Sequence, residues 1–279
     1  MNDPFRIAGP AVVSFSGGRT SAYMLWRILQ AHGGALPDDL VVCFANTGKE
    51  RIETLDFVQR CADAWSVPIA WLEWRDGPAG KRFSVVSHAS ASRAGEPFSA
   101  LIRKRRFLPN QVSRFCTQEL KIRVMKDWTR ATLGWARWTN VVGLRADEPG
   151  RVAKATDPER ASKERWRVAC PLAEAGVSQA DVRAFWASMP FDLGLSPHEG
   201  NCDLCYLKSR GKLARIIRDN PGISAWWEGE EAATGGTFRP PERRQSYREL
   251  RQETERQPEL LPAHSIFDDR MECQWACTD

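Results

Sequence analysis

The sequence predicts an α/β protein built on a doubly wound, mostly parallel five-stranded sheet, with a helical C-terminal extension and a flexible tail. Three observations carry that prediction. Short, β-branched apolar runs alternate with segments whose apolar residues recur at helical spacing, the pattern of βαβ units. The first run breaks on a Ser/Gly loop, SFSGGRTS, and re-enters as a helix. Hydrophobic residues make up 42% of the 279, enough for a full core in one large domain or a domain with appendages.

Residues 11–15 form the first strand candidate and 21–32 the helix after it. LVVCFA (40–45) reads as a buried parallel strand. ETLDFVQRCADAW (53–65) sets Leu55, Val58, Cys61, Ala62 and Trp65 on one helical face. VPIAWLEW (67–74) and WTNVVGLR (138–145) are further strands. In VSQADVRAFWASM (177–189), Ser178 stands three residues before Asp181, a capping-box signature. After Gly235 the chain turns to Pro, Arg, Glu and Gln, so 236–263 is expected to be mobile or surface-running. The division is therefore an α/β domain over 1–175, a helical cysteine-bearing segment over 176–235, and a tail over 236–279.

The formal charge of +5 suits an anionic ligand and is too mild to establish nucleic-acid binding. RKRR (103–106) is the one charge run. Its usual meaning is a solvated helix face, with a substrate phosphate or a nucleic-acid backbone as the alternative. The N-terminus lacks the pattern of a signal peptide and no apolar run reaches membrane-spanning length, so a cytoplasmic protein without a membrane partner is expected.

Eight cysteines in such a chain are not expected to form a disulfide framework. Cys43 and Cys61 fall on predicted core faces, and Cys170 is core or a spare ligand. Cys202 and Cys205 make a C-x-x-C, while Cys273 and Cys277 lie near the C-terminus.

Ser16, Gly17, Gly18, Arg19, Thr20 and Ser21, preceded by Ser14, occupy the place where an α/β sheet offers a helix N-terminus to an anion. The glycines admit the anion closely, the hydroxyls donate and Arg19 adds charge. The loop is not a Walker A, because G-x-x-x-x-G-K-[ST] is absent.

SGGRTS resembles the SGGxDS signature of PP-loop nucleotide enzymes, which include ATP pyrophosphatases and the sulfonucleotide (PAPS/APS) reductases. NTGKERIETLDF (46–57) is similar to the reductases' D-T-G-x-x-x-x-E-T-L-x-F, with Thr47 and Gly48 matching and Asn46 in place of Asp. VVGLRADEPGR (141–151) resembles their G-x-R-x-x-Q-S-x-x-R, matching it at Gly143 and Arg145, with Arg151 one residue before the place of its second arginine. CTQELK (116–121) is similar to the cysteine-to-lysine segment before it, ending at Lys121. The resemblance implies an adenine nucleotide alpha-hydrolase-like fold. It also implies adenylyl sulfate, PAPS or ATP as substrate, held by the Ser14–Ser21 loop with Thr47, Gly48 and Gly143.

APS-type reductases carry a 4Fe–4S cluster on a Cys-Cys pair and a later C-x-x-C, and PFDLGLSPHEGNCDLC (190–205) resembles the stretch leading into the latter. The pair is here Phe115-Cys116, so the resemblance implies Cys116, Cys202 and Cys205 as ligands. Cys273 or Cys277 would complete the set, or an iron would stay open, as in PP-loop tRNA-thiolating enzymes. Zinc on the same cysteines is the alternative. The reductases' C-terminal E-C-G-L-H places the cysteine that attacks sulfate sulfur; here Glu272-Cys273 matches and the next three residues do not. The implied roles are Cys273 as nucleophile, Lys121, Arg145 and Arg151 as cations on the sulfate, and a thioredoxin-like protein as reductant. The tail could close over its own site or that of a second copy in a homodimer. Two other readings stay open: an ATP-dependent sulfur-transfer enzyme that forms AMP and pyrophosphate on tRNA or DNA, and a non-catalytic nucleotide- or metal-binding regulator.

Overall fold

The computed structural model describes residues 3–239 and 245–256. The chain runs β1 (Ala11–Ser14), α1 (Arg19–Ala31), β2 (Leu40–Asn46), α2 (Ile52–Trp65), β3 (Ile69–Trp74), β4 (Phe83–Val86) and α3 (Glu96–Arg105). A short α4 (Phe115–Thr117) continues through a π-helical stretch, Gln118–Arg123, into α5 (Val124–Thr132). Then come β5 (Trp138–Val141), α6 (Pro149–Ala155), α7 (Pro158–Lys163), β6 (Trp166–Ala169), α8 (Pro171–Glu174) and α9 (Gln179–Ser188). Helices α10 (Arg210–Asp219), α11 (Ala225–Thr234) and α12 (Tyr247–Arg256) complete the described chain.

The sheet has six strands in the order β4-β3-β2-β1-β5-β6, one more than the sequence suggests. Five are mutually parallel, and β4 runs antiparallel to β3 at one edge. Strand alternation sends successive residues to opposite faces. Val13, Phe15, Val42 and Phe44 pack under Met24, Leu25 and Ile28 of α1, Leu55 and Val58 of α2, and Trp186 of α9. Val12, Cys43, Leu72 and Trp74 pack on the other face, with Ile102 of α3, Val124 and Trp128 of α5, Ile216 of α10 and Trp227 of α11.

The stretch expected to run as a tail from 236 instead contributes α12 and part of this second core. Phe238, Tyr247 and Leu250 are fully buried. The buried Glu231 carboxylate accepts the amides of Phe238 (3.1 Å) and Tyr247 (2.8 Å), which fixes the segment to α11. The capping box on α9 forms in both directions between Ser178 and Asp181. No helix among the described residues is long and apolar enough to cross a membrane.

Candidate functional site

All five parallel strands end on the same edge, and the chain reverses its direction of growth between β1 and β5. Such a reversal opens a crevice at the carboxyl ends of the strands, because the flanking connections leave to opposite sides. The loops after β1, β2 and β5 all emerge at this edge.

After β1, Gly17 takes φ +81°, and a Cβ there would lie 2.7 Å from Thr54 Cγ2 and 3.1 Å from Phe44 Cε2. The position therefore demands glycine on both conformation and space. Gly18 is the N-cap of α1 with no side-chain cap, and no acidic residue stands in the first turn. The helix thus opens toward the crevice with uncapped N–H groups and its positive dipole end. Ser21 Oγ braces the loop, accepting from the Ser16 amide (3.2 Å), donating to the Gly18 carbonyl (3.0 Å) and lying 2.9 Å from Ser16 Oγ. Gly143, after β5, allows α1 to come close: a Cβ there would stand 3.2 Å from Ser21 Cα.

The cations are divided. Arg19 is held in a bidentate pair with Asp192 and donates to the Leu195 carbonyl at 3.0 Å, so it ties the loop to 192–195. Hydrogen bonds from Arg19 hold the Asp192 carboxyl below the usual range, against the opposing effect of burial. Arg145 Nη1 donates to Thr20 Oγ1 (3.1 Å), and its Nε donates to Asp147 (2.9 Å). Glu148 accepts from the Arg145 amide (3.0 Å) with one oxygen and from Arg151 with the other. It stands where the similar reductase segment has a neutral Gln, and it bridges both arginines. Lys121 Nζ lies 3.4 Å from Glu50 Oε1, and the other oxygen of Glu50 accepts from the amide and hydroxyl of Thr47, each at 2.8 Å.

Between β1, β5, β6 and α5 lies a cavity, partly open to solvent, whose empty space with that open solvent included is about 1040 Å³. Ser14, Ser16, Gly143, Lys121 and Arg151 line it at the loop end, and Val12, Met125, Trp138 and Trp166 line its apolar depth. Ser14 Oγ donates to Asn140 Oδ1 at 2.8 Å, which orients the Asn140 NH₂ group for another acceptor. Thr129 Oγ1, in the same wall, is buried without a hydrogen-bond partner among the described residues.

Asn46 stands where the similar reductase segment has aspartate, and its contacts require an amide. Its NH₂ group donates to Glu73 Oε1 (2.6 Å) and the Ser92 carbonyl (2.8 Å), while its oxygen accepts the Gly48 amide (3.0 Å). An aspartate could not donate to Glu73.

The C-x-x-C segment reaches the same edge through backbone pairing with the loop after β2. The Arg51 amide donates to the Asn201 carbonyl (2.7 Å) and the Asp203 amide to the Lys49 carbonyl (2.9 Å). Lys49 and Asp203 make a buried ion pair at 2.8 Å. Asn201 donates its side-chain amide to the Ser16 carbonyl. Sequence reasoning missed Asn201, Asp192, Glu148, Asn140 and Thr129; the near-match of Glu148 to a motif position, and the place of Asp192 and Asn201 within the stretch 190–205, could have flagged three of them.

Cys202 and Cys205 are hydrogen-bonded to each other, and that bond together with burial pushes the Cys202 thiol well up. Cys116 Sγ lies 3.3 Å from the hydroxyl of Tyr206. Among the described residues no group of three or more His, Cys, Asp or Glu is disposed to hold a metal ion. Cys116, Cys202 and Cys205 all pack against the second core, and Cys273 and Cys277 lie outside the described residues. Cys43, Cys61 and Cys170 are buried. Burial raises all three thiols, Cys170 to about 12, so they are inert core residues.

No family model matches the chain. Over 243 residues it is 29% identical to the uncharacterized nin region protein ORF290 of Escherichia phage lambda, a match covering 82% of this chain and 76% of that protein.

Proposed function

We propose that the protein binds an adenine nucleotide on a doubly wound sheet, with the base in the cavity between β1, β5 and α5 and its anionic group at the Ser16–Ser21 loop. The observation that carries this reading is the convergence of an uncapped helix N-terminus, Arg145 and Arg151 where the strand order reverses. The apolar depth suits a purine ring, and Asn140 suits its polar edge.

The proposed reaction is reduction of adenylyl sulfate or PAPS. A cysteine thiolate attacks the sulfur, an S–S bond forms, the S–O bond breaks and the nucleotide leaves with that oxygen. A dithiol reductant such as thioredoxin then supplies two electrons, releasing sulfite and restoring the thiol. Lys121, Arg145 and Arg151 would screen the sulfuryl oxygens from the thiolate. Cys273 is the proposed nucleophile.

Glu148 favours a second reading. A carboxylate on the two arginines opposes a bare sulfonucleotide and tolerates a nucleotide triphosphate that arrives with a divalent cation, as ATP-dependent sulfur transfer requires. One experiment separates the two: anaerobically purified protein is incubated with adenylyl sulfate plus thioredoxin and, in parallel, with magnesium ATP. Sulfite without pyrophosphate supports reduction, and AMP plus pyrophosphate supports transfer. Absence of nucleotide binding in calorimetry rejects both. Iron and zinc analysis of the same sample tests the cysteine ligands directly.

A further inference from the structure

A second cationic surface forms at the end of α3, outside the cavity. Arg103, Lys104, Arg105 and Arg106 are all exposed, as expected for a solvated run. Their partners are few. Glu119 is buried and accepts from Arg105 and from Arg123 (2.8 Å), while Arg82 stands 3.8 Å from its other oxygen. One carboxylate therefore serves three guanidiniums. Lys104 pairs with Asp76, and neither Arg103 nor Arg106 has an acidic partner among the described residues. Two carboxylates thus face six cations, and the surplus is open to a polyanion.

Charge is not the only feature. Phe107 follows directly and is 43% exposed, although its ring rests at 5.0 Å against Phe115 in an edge contact. Arg106 takes φ +61°, an uncommon conformation for a non-glycine residue, and opens the exposed loop that leads to Val112, 97% exposed. An exposed ring among arginines matches what unpaired bases and their phosphates require together; an acidic peptide would use only the charge. The π-helical stretch, a rare form frequent at functional sites, carries Glu119 and Arg123 to this surface and Lys121 to the cavity.

We propose that Arg82, Arg103, Arg105, Arg106, Phe107 and Arg123 form a binding surface for single-stranded nucleic acid, with phosphates on the arginines and a base on Phe107. The proposal stands apart from the nucleotide reading, since none of these six residues lines the cavity.

Fluorescence anisotropy of a labelled oligonucleotide of about 20 nucleotides, titrated with the full chain from low to physiological salt, tests it. Log K should fall linearly with log salt, by about 0.7 per phosphate neutralised. An Arg103→Glu/Arg106→Glu variant should bind at least about tenfold more weakly and flatten that slope by roughly 1.4, the loss of two contacts. Phe107→Leu should weaken oligonucleotide binding while leaving heparin binding unchanged. Thermal unfolding and ATP calorimetry of each variant separate this surface from folding and from the cavity. The proposal is overturned by absence of oligonucleotide binding, by equal binding of the double variant, by preference for duplex, or by heparin and oligonucleotide responding alike to Phe107→Leu.

Discussion

Asn201 Nδ2 donates to the carbonyl of Ser16 at 2.9 Å, and this bond joins the segment bearing Cys202 to the loop of the proposed anion site. Asn201 is 2% exposed, so its loss leaves a carbonyl without its partner in a dry setting. Asn201→Ala should cost about 1–3 kcal/mol in urea unfolding and weaken nucleotide binding. Asn201→Asp, which offers only acceptors to that carbonyl, should cost more than Ala. Equal stability of the Asp variant and the parent would refute the role assigned to this bond.

Glu148 engages both arginines of the proposed anion site, Arg151 through a hydrogen bond and the Arg145 guanidinium at 3.6 Å. Glu148→Gln keeps the shape and removes the charge. Calorimetry should show adenylyl sulfate and metal-free ATP binding about tenfold tighter, about 1.4 kcal/mol, with adenosine unchanged. An equal gain for adenosine would mean that Glu148 acts on the base pocket or on folding instead.

Asn46→Asp restores the residue common in the similar reductases and should nevertheless destabilise this chain. Asn46 is fully buried and Glu73 nearly so, and the substitution turns a 2.6 Å hydrogen bond into a contact of like charges. The expected cost is about 2–3 kcal/mol at neutral pH. Asn46→Asp combined with Glu73→Gln, which puts a donor opposite the new carboxylate, should recover much of it.

Asp192 makes stability depend on acid. Its folded pKa is lowered, chiefly by the hydrogen bonds from Arg19, so its contribution is complete above the ordinary carboxylate pKa of about 4. That contribution is lost as pH falls from there through the lowered folded value. Urea midpoints of the parent and Asp192→Asn should therefore differ most near neutrality and converge below about pH 4. A gap that stays constant into acid would contradict the Arg19–Asp192 pairing.

Much of the frame was legible in the chain because it depends on local pattern. The strands near 11, 40, 67 and 138 are apolar runs, α1 and α2 have helical periodicity, and Ser178 caps α9. Strands β4 and β6 were not legible. Each is four residues long and only partly buried, so neither shows a continuous apolar run. The segment after 236 misled by composition: Phe238, Tyr247 and Leu250 anchor it, although polar residues outnumber them. At the site, the glycines, Lys121, Arg145 and Arg151 belong to motifs. Asp192 and Asn201 fall in the stretch 190–205 that resembles the reductases, but they meet the loop only through the fold, across more than 170 positions of sequence. Arg19 shows the reverse: its place in the loop suggests contact with the anion, while its guanidinium is engaged with Asp192.

The pairing of residues 49–51 with 201–203, together with the bond from Asn201 to the Ser16 carbonyl, ties the thiol turn to the loops after both β1 and β2. Any coupling between occupants of the two places must then be reciprocal. If zinc on Cys202 and Cys205 strengthens ATP binding by some factor, ATP must strengthen zinc binding by that same factor. Zinc titrations with and without ATP, and ATP titrations with and without zinc, measure one coupling constant from its two ends.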